Sequence, residues 1–206
     1  KRDRMKRITV IGCGRWGSLI AWYLDRLGHQ VTLYGRAGSR HMQRFLTERK
    51  NDLLAMPDSV RLSTELSCAL DAEIIVISVP SQALQGLMDE LKPLDLKNKT
   101  FVLCMKGIEV STGRRLSQVA RDSLDPSCAV AVWLGPGHVQ EFYAGIPNCM
   151  VIDSDDPQAR QMLVEQFSGP LIRFYYGEDL IGNEIGAAAK NVIGVAAGVL
   201  DGLKLT

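Results

Sequence analysis

Residues 9–17 read TVIGCGRWG, an apolar strand end that runs straight into Gly12, Gly14 and Gly17 at the spacing G-x-G-x-x-G. After a strand and before a helix, that spacing is the phosphate-binding turn of a Rossmann-type domain. The first glycine permits a tight turn. The second lets the backbone approach a pyrophosphate, and the third lets helix and strand pack closely. The helix that follows offers unpaired N–H groups and a partial positive charge to phosphates. The turn therefore predicts a bound dinucleotide, NAD or NADP. Glycines also mark plain turns, so the surrounding pattern has to carry the reading.

Outward from the turn, short apolar runs alternate with helical patterns. Strands are expected at 8–11, 30–34, 74–79, 100–105, 129–133, 149–153 and 172–176. IIVISV and FVLCM have the continuous apolarity of strands buried on both faces. Helices are expected at 16–27, where Gly28 is a natural stop, and at 39–48, 81–91 and 112–122. DSDDP (153–157) reads as a solvated helix start. This alternation predicts an α/β fold, a Rossmann-type doubly wound, mainly parallel sheet over residues 1–178. Residues 179–201 are one long helical run of a different kind. It is expected to begin a helical domain over 179–206, which would make the chain a fragment.

Composition narrows the classes. In 206 residues, 46% are hydrophobic and 23% charged, and 24 Lys+Arg against 23 Asp+Glu leave a net charge of +1. That balance disfavours a general nucleic-acid binder or an anionic-membrane binder. No stable membrane insertion is expected, because Lys190 and Asn191 interrupt the apolar stretch 185–200. The five cysteines are scattered. They read as free, mostly buried thiols in a reducing, cytoplasmic setting, and no metal site is expected. The basic residues 1–4 precede Met5 as an extension or a tag remnant.

Three further positions bear on chemistry. Where NAD-specific sites place an acid about 20 residues after the turn, this chain has Tyr34-Gly35-Arg36. Arg36 either pairs with a 2′-phosphate, stacks on adenine, or is solvated, and the reading leans towards NADP, or mixed use, over strict NAD. Lys106 ends a buried strand, where ligands of doubly wound folds lie, and Gly107 follows it; the alternative is an ordinary strand-end charge. Lys190 shares a helix face with Asn183 and Asp201, each within about 20° of it, and with the small residues Ala187, Gly194 and Ala197. Small neighbours leave room for a ligand, and partly apolar surroundings should lower a lysine pKa towards proton transfer. The alternative is a lysine snorkelling to water. Ile181, Ile185, Val192 and Val199 are expected to face the core. Gly135-Pro136-Gly137 exposes backbone N–H groups that could wrap a phosphate or a nicotinamide, or simply connects strand to helix. His138 reads as structural.

Five segments, GCGRWGSLIA (12–21), VPSQAL (79–84), KGIEVSTGRRLSQV (106–119), LGPGHVQE (134–141) and EIGAAAKNVIGVAAGVLDGL (184–203), resemble bacterial NAD(P)-dependent glycerol-3-phosphate dehydrogenases, in the family's order. The resemblance implies interconversion of dihydroxyacetone phosphate and sn-glycerol 3-phosphate for phospholipid synthesis, in a full-length protein that is a homodimer. It implies Lys190 as proton donor and acceptor, and Lys106 as a catalytic residue that binds substrate and cofactor. Gly135 and Gly137 would hold substrate. Arg15, Trp16, Arg36 and Val139 would join the glycine turn as cofactor contacts.

The chain also departs from the pattern. The family usually has a small polar residue at Arg15 and a serine or threonine at Gly137, so one hydroxyl donor to substrate is missing. The Asn, Tyr and Leu-Pro motif is poorly matched over 50–57. Two other readings stand beside the dehydrogenase: a related β-hydroxyacid dehydrogenase or ketopantoate-reductase-like enzyme, and a non-catalytic dinucleotide-binding sensor. As a fragment, the chain is expected to bind cofactor and turn over little.

Overall fold

The computed structural model describes residues 5–204, so residues 1–4, read above as an extension, lie outside it. Eight strands form one sheet: β1 (Arg7–Ile11), β2 (Gln30–Tyr34), β3 (Arg61–Ser63), β4 (Ile74–Ile77), β5 (Thr100–Leu103), β6 (Ala129–Leu134), β7 (Asn148–Ser154) and β8 (Ile172–Tyr176). Their order across the sheet is β3-β2-β1-β4-β5-β6-β7-β8. All neighbours pair in parallel except β6 and β7. The chain winds one way from β1 through β3, then returns beside β1 with β4. The switch point, where doubly wound folds open a crevice, therefore lies between the carboxyl ends of β1 and β4.

Seven helices complete the fold: α1 (Arg15–Arg26), α2 (Arg40–Glu48), α3 (Leu84–Leu91), α4 (Leu116–Ser123), α5 (Val139–Tyr143), α6 (Pro157–Phe167) and α7 (Leu180–Gly202). Strand side chains alternate between two cores. Val76, Val102 and Trp133 join α1, α2, α5 and α6 on one face, while Ile75, Phe101 and Val132 join α3 and α4 on the other. Each central strand is thus buried on both faces, which explains its unbroken apolar run.

The doubly wound, mainly parallel α/β architecture is as expected, with local differences. β3 was not expected: it is three residues long, at the sheet edge, and none of the three is buried. The helix expected at 112–122 starts at Leu116, because Ile108 bridges Arg115 and folds residues 106–115 into a hairpin. The stretch expected as helix 81–91 opens with a 3-10 turn, Ser81–Ala83, before α3. DSDDP does start a helix, with Asp156 capping α6 by accepting from the N–H of Gln158 and Ala159 at 2.9 and 3.0 Å, but it is not solvated throughout, since Asp153 and Ser154 are buried.

The larger correction concerns α7. Ile181, Ile185, Val192 and Val199 do not face the core; they are 58%, 40%, 69% and 54% exposed. Only the root of the helix packs on β6 and β7, with Leu180 and Glu184 buried and Ala187 against the core. Beyond it the helix climbs past the sheet, where no described element overlies it. With 23 residues and a mean hydropathy of 1.2, α7 is also long and apolar enough to cross a membrane by length and composition. The interruption by Lys190 and Asn191 is too slight to change that.

Candidate active site

Glycine meets a different constraint at each position of the turn. Gly12 has φ +115°, and a Cβ there would stand 2.7 Å from the carbonyl carbon of Ser78, at the end of β4. A Cβ on Gly17 would collide with the Gly12 carbonyl. Both positions are fixed by protein packing on protein. Gly14 is different: its φ of −71° and ψ of −173° suit any residue, and a Cβ would meet nothing within 4 Å. Gly14 is also the N-cap of α1 and brings no side chain to cap the first turn. Packing within the described residues does not require glycine there, and the uncapped first turn of α1 is the kind of helix N-terminus that holds a pyrophosphate. The residues present therefore fit a dinucleotide.

Beside the turn, a cavity of about 350 Å³ is lined by Trp16, Pro80, Lys106, Trp133, Gly135 and Gly137, among others. It lies at the carboxyl ends of β4, β5 and β6. Trp16 forms one wall, with its ring 6.5 Å from Trp133 in an edge-on contact and 5.8 Å from Phe142. A second cavity of about 290 Å³ adjoins it. There Lys106, Gly135 and Pro136 face Asn183, Ala187 and Lys190 of α7. The small-residue face of α7 is turned towards this cavity as far as Lys190; Gly194, Ala197 and Asp201, expected on the same face, do not line it.

Lys106 belongs to both cavities and donates from Nζ to the Gly135 carbonyl at 2.9 Å. Burial, aided by the charge of Lys190, holds its pKa below the ordinary lysine range. The enclosure anticipated around Lys190 is not found, since Lys190 is exposed on α7; Lys106 is exposed as a residue as well, and only its ammonium end is partly desolvated.

The other sequence-derived positions are spread more widely. Arg15 lines a separate hollow with Arg40, His41 and Arg44, on the α2 side of the turn. Arg36 pairs with Glu90 of α3 at 2.7 Å and is 65% exposed. Val139 opens α5 with its side chain in the core, which leaves its backbone as the part that could face a cofactor. Gly137 has φ +143°, and a Cβ there would run into the Phe142 ring, 2.7 Å from Cζ.

Sequence reasoning missed the residues that hold α7 in place. Asn183 donates to Asp153 Oδ2 at 2.6 Å, and Asp153, 1% exposed, also lies 3.5 Å from Arg160. Glu184, 6% exposed, accepts from Arg115 and Ser117. The available signal was a carboxylate one helical turn into α7, just ahead of the run Gly186–Ala189.

Comparison with known proteins gives concordant results. Residues 7–160 match the family described as the N-terminus of NAD-dependent glycerol-3-phosphate dehydrogenase. The chain is 37% identical to glycerol-3-phosphate dehydrogenase (NAD(P)+) of Xanthomonas euvesicatoria, over 98% of this chain and 61% of that protein. With the protein of that name from Thermoanaerobacter sp. it shares 36% identity, over 96% of this chain and 60% of the relative. Among solved structures, glycerol-3-phosphate dehydrogenase from Coxiella burnetii superposes with a TM-score of 0.87 at 29% identity, covering 98% of this chain and 63% of that one. The Plasmodium falciparum glycerol-3-phosphate dehydrogenase gives 0.86 at 19% identity, with 97% and 60% covered, a likeness of fold alone. The chain spans about three fifths of the length of the curated relatives it matches.

Proposed function

Because this chain belongs to the family of the N-terminus of NAD-dependent glycerol-3-phosphate dehydrogenase, we propose that its protein interconverts dihydroxyacetone phosphate and sn-glycerol 3-phosphate, in the cytoplasm, for phospholipid synthesis. The observation that carries this reading is the meeting of Lys106 and Lys190 on one cavity beside Gly135, next to the Trp16 wall and the glycine turn. The dinucleotide is held by Gly12, Gly14, Gly17, Trp16 and the backbone of Val139, with Arg15 and Arg36 towards its phosphates and ribose. Arg36 favours NADP, by drawing its guanidinium from Glu90 to a 2′-phosphate. When bound, the nicotinamide supplies the hydride that reduces the ketone carbon.

Lys190 delivers a proton to the forming alkoxide oxygen and recovers it in the reverse reaction. Lys106, fixed by the Gly135 carbonyl, orients the substrate, and its positive charge stabilises developing negative charge on oxygen. Gly135 offers backbone to the substrate, as does Gly137 in place of the family's hydroxyl. Residues 179–206 begin a helical domain whose remainder covers the bare face of α7, so that face meets protein and not lipid. In the full-length protein the assembly is a homodimer. Four of the five cysteines are buried and free, and burial raises the thiol pKa of each of the four, which suits a reducing compartment.

The test is an assay of the full-length protein with dihydroxyacetone phosphate and NADPH or NADH. Cofactor oxidation is expected, and Lys190→Ala should abolish it while leaving cofactor affinity nearly unchanged. Full activity in that variant removes Lys190 from the chemistry. A second reading, a dinucleotide-binding module without turnover, is favoured by the missing hydroxyl at Gly137; cofactor binding without oxidation would select it.

A further inference from the structure

The two lysines of the proposed site come from segments far apart in the chain, and one carboxylate touches both segments. Lys106 opens the 106–115 segment, two residues before Ile108, whose bridge to Arg115, with the Glu109 N–H to Arg114 C=O bond, closes the segment into a hairpin. Arg115 Nη1 donates to Glu184 Oε2 at 2.6 Å. Ser117, in the first turn of α4, donates to the same carboxylate from its backbone N–H at 3.0 Å and its hydroxyl at 2.6 Å. Glu184 lies six residues before Lys190 on α7, a rise of about 9 Å. Apolar packing could fasten a helix root without the desolvation that a buried ion pair costs. What the carboxylate adds is direction: one donor from the hairpin and two from the first turn of α4, which follows it directly, fix the rotation and height of α7 against the segment that carries Lys106.

We propose that Glu184 is a positioning residue, setting the separation of Lys106 and Lys190 by joining the 106–115 hairpin to α7. The inference rests on the two-lysine site described above. It goes beyond that site in assigning its geometry to a group that touches neither substrate nor cofactor. The Asn183–Asp153 contact holds the neighbouring side of the helix root but does not reach the hairpin.

The experiment uses this chain without ligand. A short amine-reactive cross-linker should join Lys106 to Lys190, read by peptide mass spectrometry. Glu184→Ala should lower that yield roughly tenfold, the population change expected when hydrogen bonds to a charged group are lost. Glu184→Gln, which keeps the shape and one acceptor, should restore part of it. Ser117→Ala removes only the hydroxyl bond and should give a smaller loss, so the test survives if Glu184→Ala does not fold. Leu163→Ala, in the core on the opposite face of the sheet, is the destabilised control and should keep the parental yield.

A second readout is the titration of Lys106, followed by NMR of 13C-methylated lysines. If Lys190 moves away in Glu184→Ala, the Lys106 midpoint rises, whereas direct loss of a negative charge would lower it. Parental cross-linking in Glu184→Ala, equal loss in Leu163→Ala, or a Lys106 midpoint that stays or falls each overturns the positioning role. No cross-link in the parent chain removes the two-lysine site itself and with it the functional reading. A cross-link that survives Glu184→Ala removes only this inference.

Discussion

Replacing Gly137 by serine would install the hydroxyl that the family usually carries, and it should damage the protein. Two terms add. The backbone at φ +143° lies where non-glycine residues are held at a cost of about 1–3 kcal/mol. The new Cβ would also sit 2.7 Å from Phe142 Cζ, and overpacking of a filled core costs typically about 1–3 kcal/mol. Phe142 cannot swing aside freely, because it is 1% exposed and packed against Trp16. The sum, roughly 2–6 kcal/mol, is a large part of the ~5–15 kcal/mol that stabilises a typical domain. It corresponds to a melting point lower by about 5–20 °C at this chain length. Urea unfolding followed by tryptophan fluorescence reads the loss, and Trp16 reports on the Phe142 contact directly. Phe142→Ala alone should cost about 3–5 kcal/mol through its cavity. In the double variant the ring is no longer there to be struck, so the pair should fall short of additivity by about 1–3 kcal/mol. A Gly137→Ser chain as stable as the parent, or strictly additive costs, would refute the steric account of why this position lacks a hydroxyl.

Three other expectations concern the same site. The native chain holds Lys106 below its ordinary pKa, so between that lowered value and the unfolded value the unfolded state binds more protons and stability rises with pH. Relative to Lys106→Met, the parent should therefore gain stability across that alkaline window, measured by urea unfolding; a flat difference contradicts the burial argument. Arg36→Ala should weaken NADP by about tenfold more than NAD, the loss expected for a charge-assisted phosphate contact. Glu90→Ala, which frees the guanidinium, should tighten NADP; equal effects on both cofactors in a fluorescence titration would remove Arg36 from the 2′-phosphate. Finally, Gly12→Ala should unfold more readily, by roughly 2–6 kcal/mol, whereas Gly14→Ala should melt with the parent and lose cofactor affinity.

The strands could be read because burial on both faces leaves a period-free apolar run, and IIVI and TFVL have no other easy home. β3 could not, since Arg61–Ser63 buries no side chain and its strand character comes from pairing with β2. Helix α7 was legible in its extent but not in its facing. Periodicity tells which residues share a stripe and is silent on what lies opposite it. The small face around Asn183 and Lys190 meets the cavity, while the larger apolar stripe meets no described element. The lysines were visible because the motifs around them are local. Their fasteners were not, because the partners are distant: Glu184 lies 69 residues from Arg115, and Asn183 lies 30 from Asp153. A glutamate on a helix reads as solvated until the donor that buries it is known.

The division of labour within the glycine turn has a consequence for how such a protein can lose its role. Cellular quality control removes chains that unfold, and it would remove a variant at Gly12. It has no purchase on one at Gly14, where an added methyl touches no other part of the protein. A single base change there, from a glycine codon to an alanine codon, is expected to leave abundance untouched while weakening the cofactor site proposed above. If Gly14 acts as proposed, the amount of folded protein does not report its cofactor-binding capacity, and the proposed activity can be lost with the fold intact.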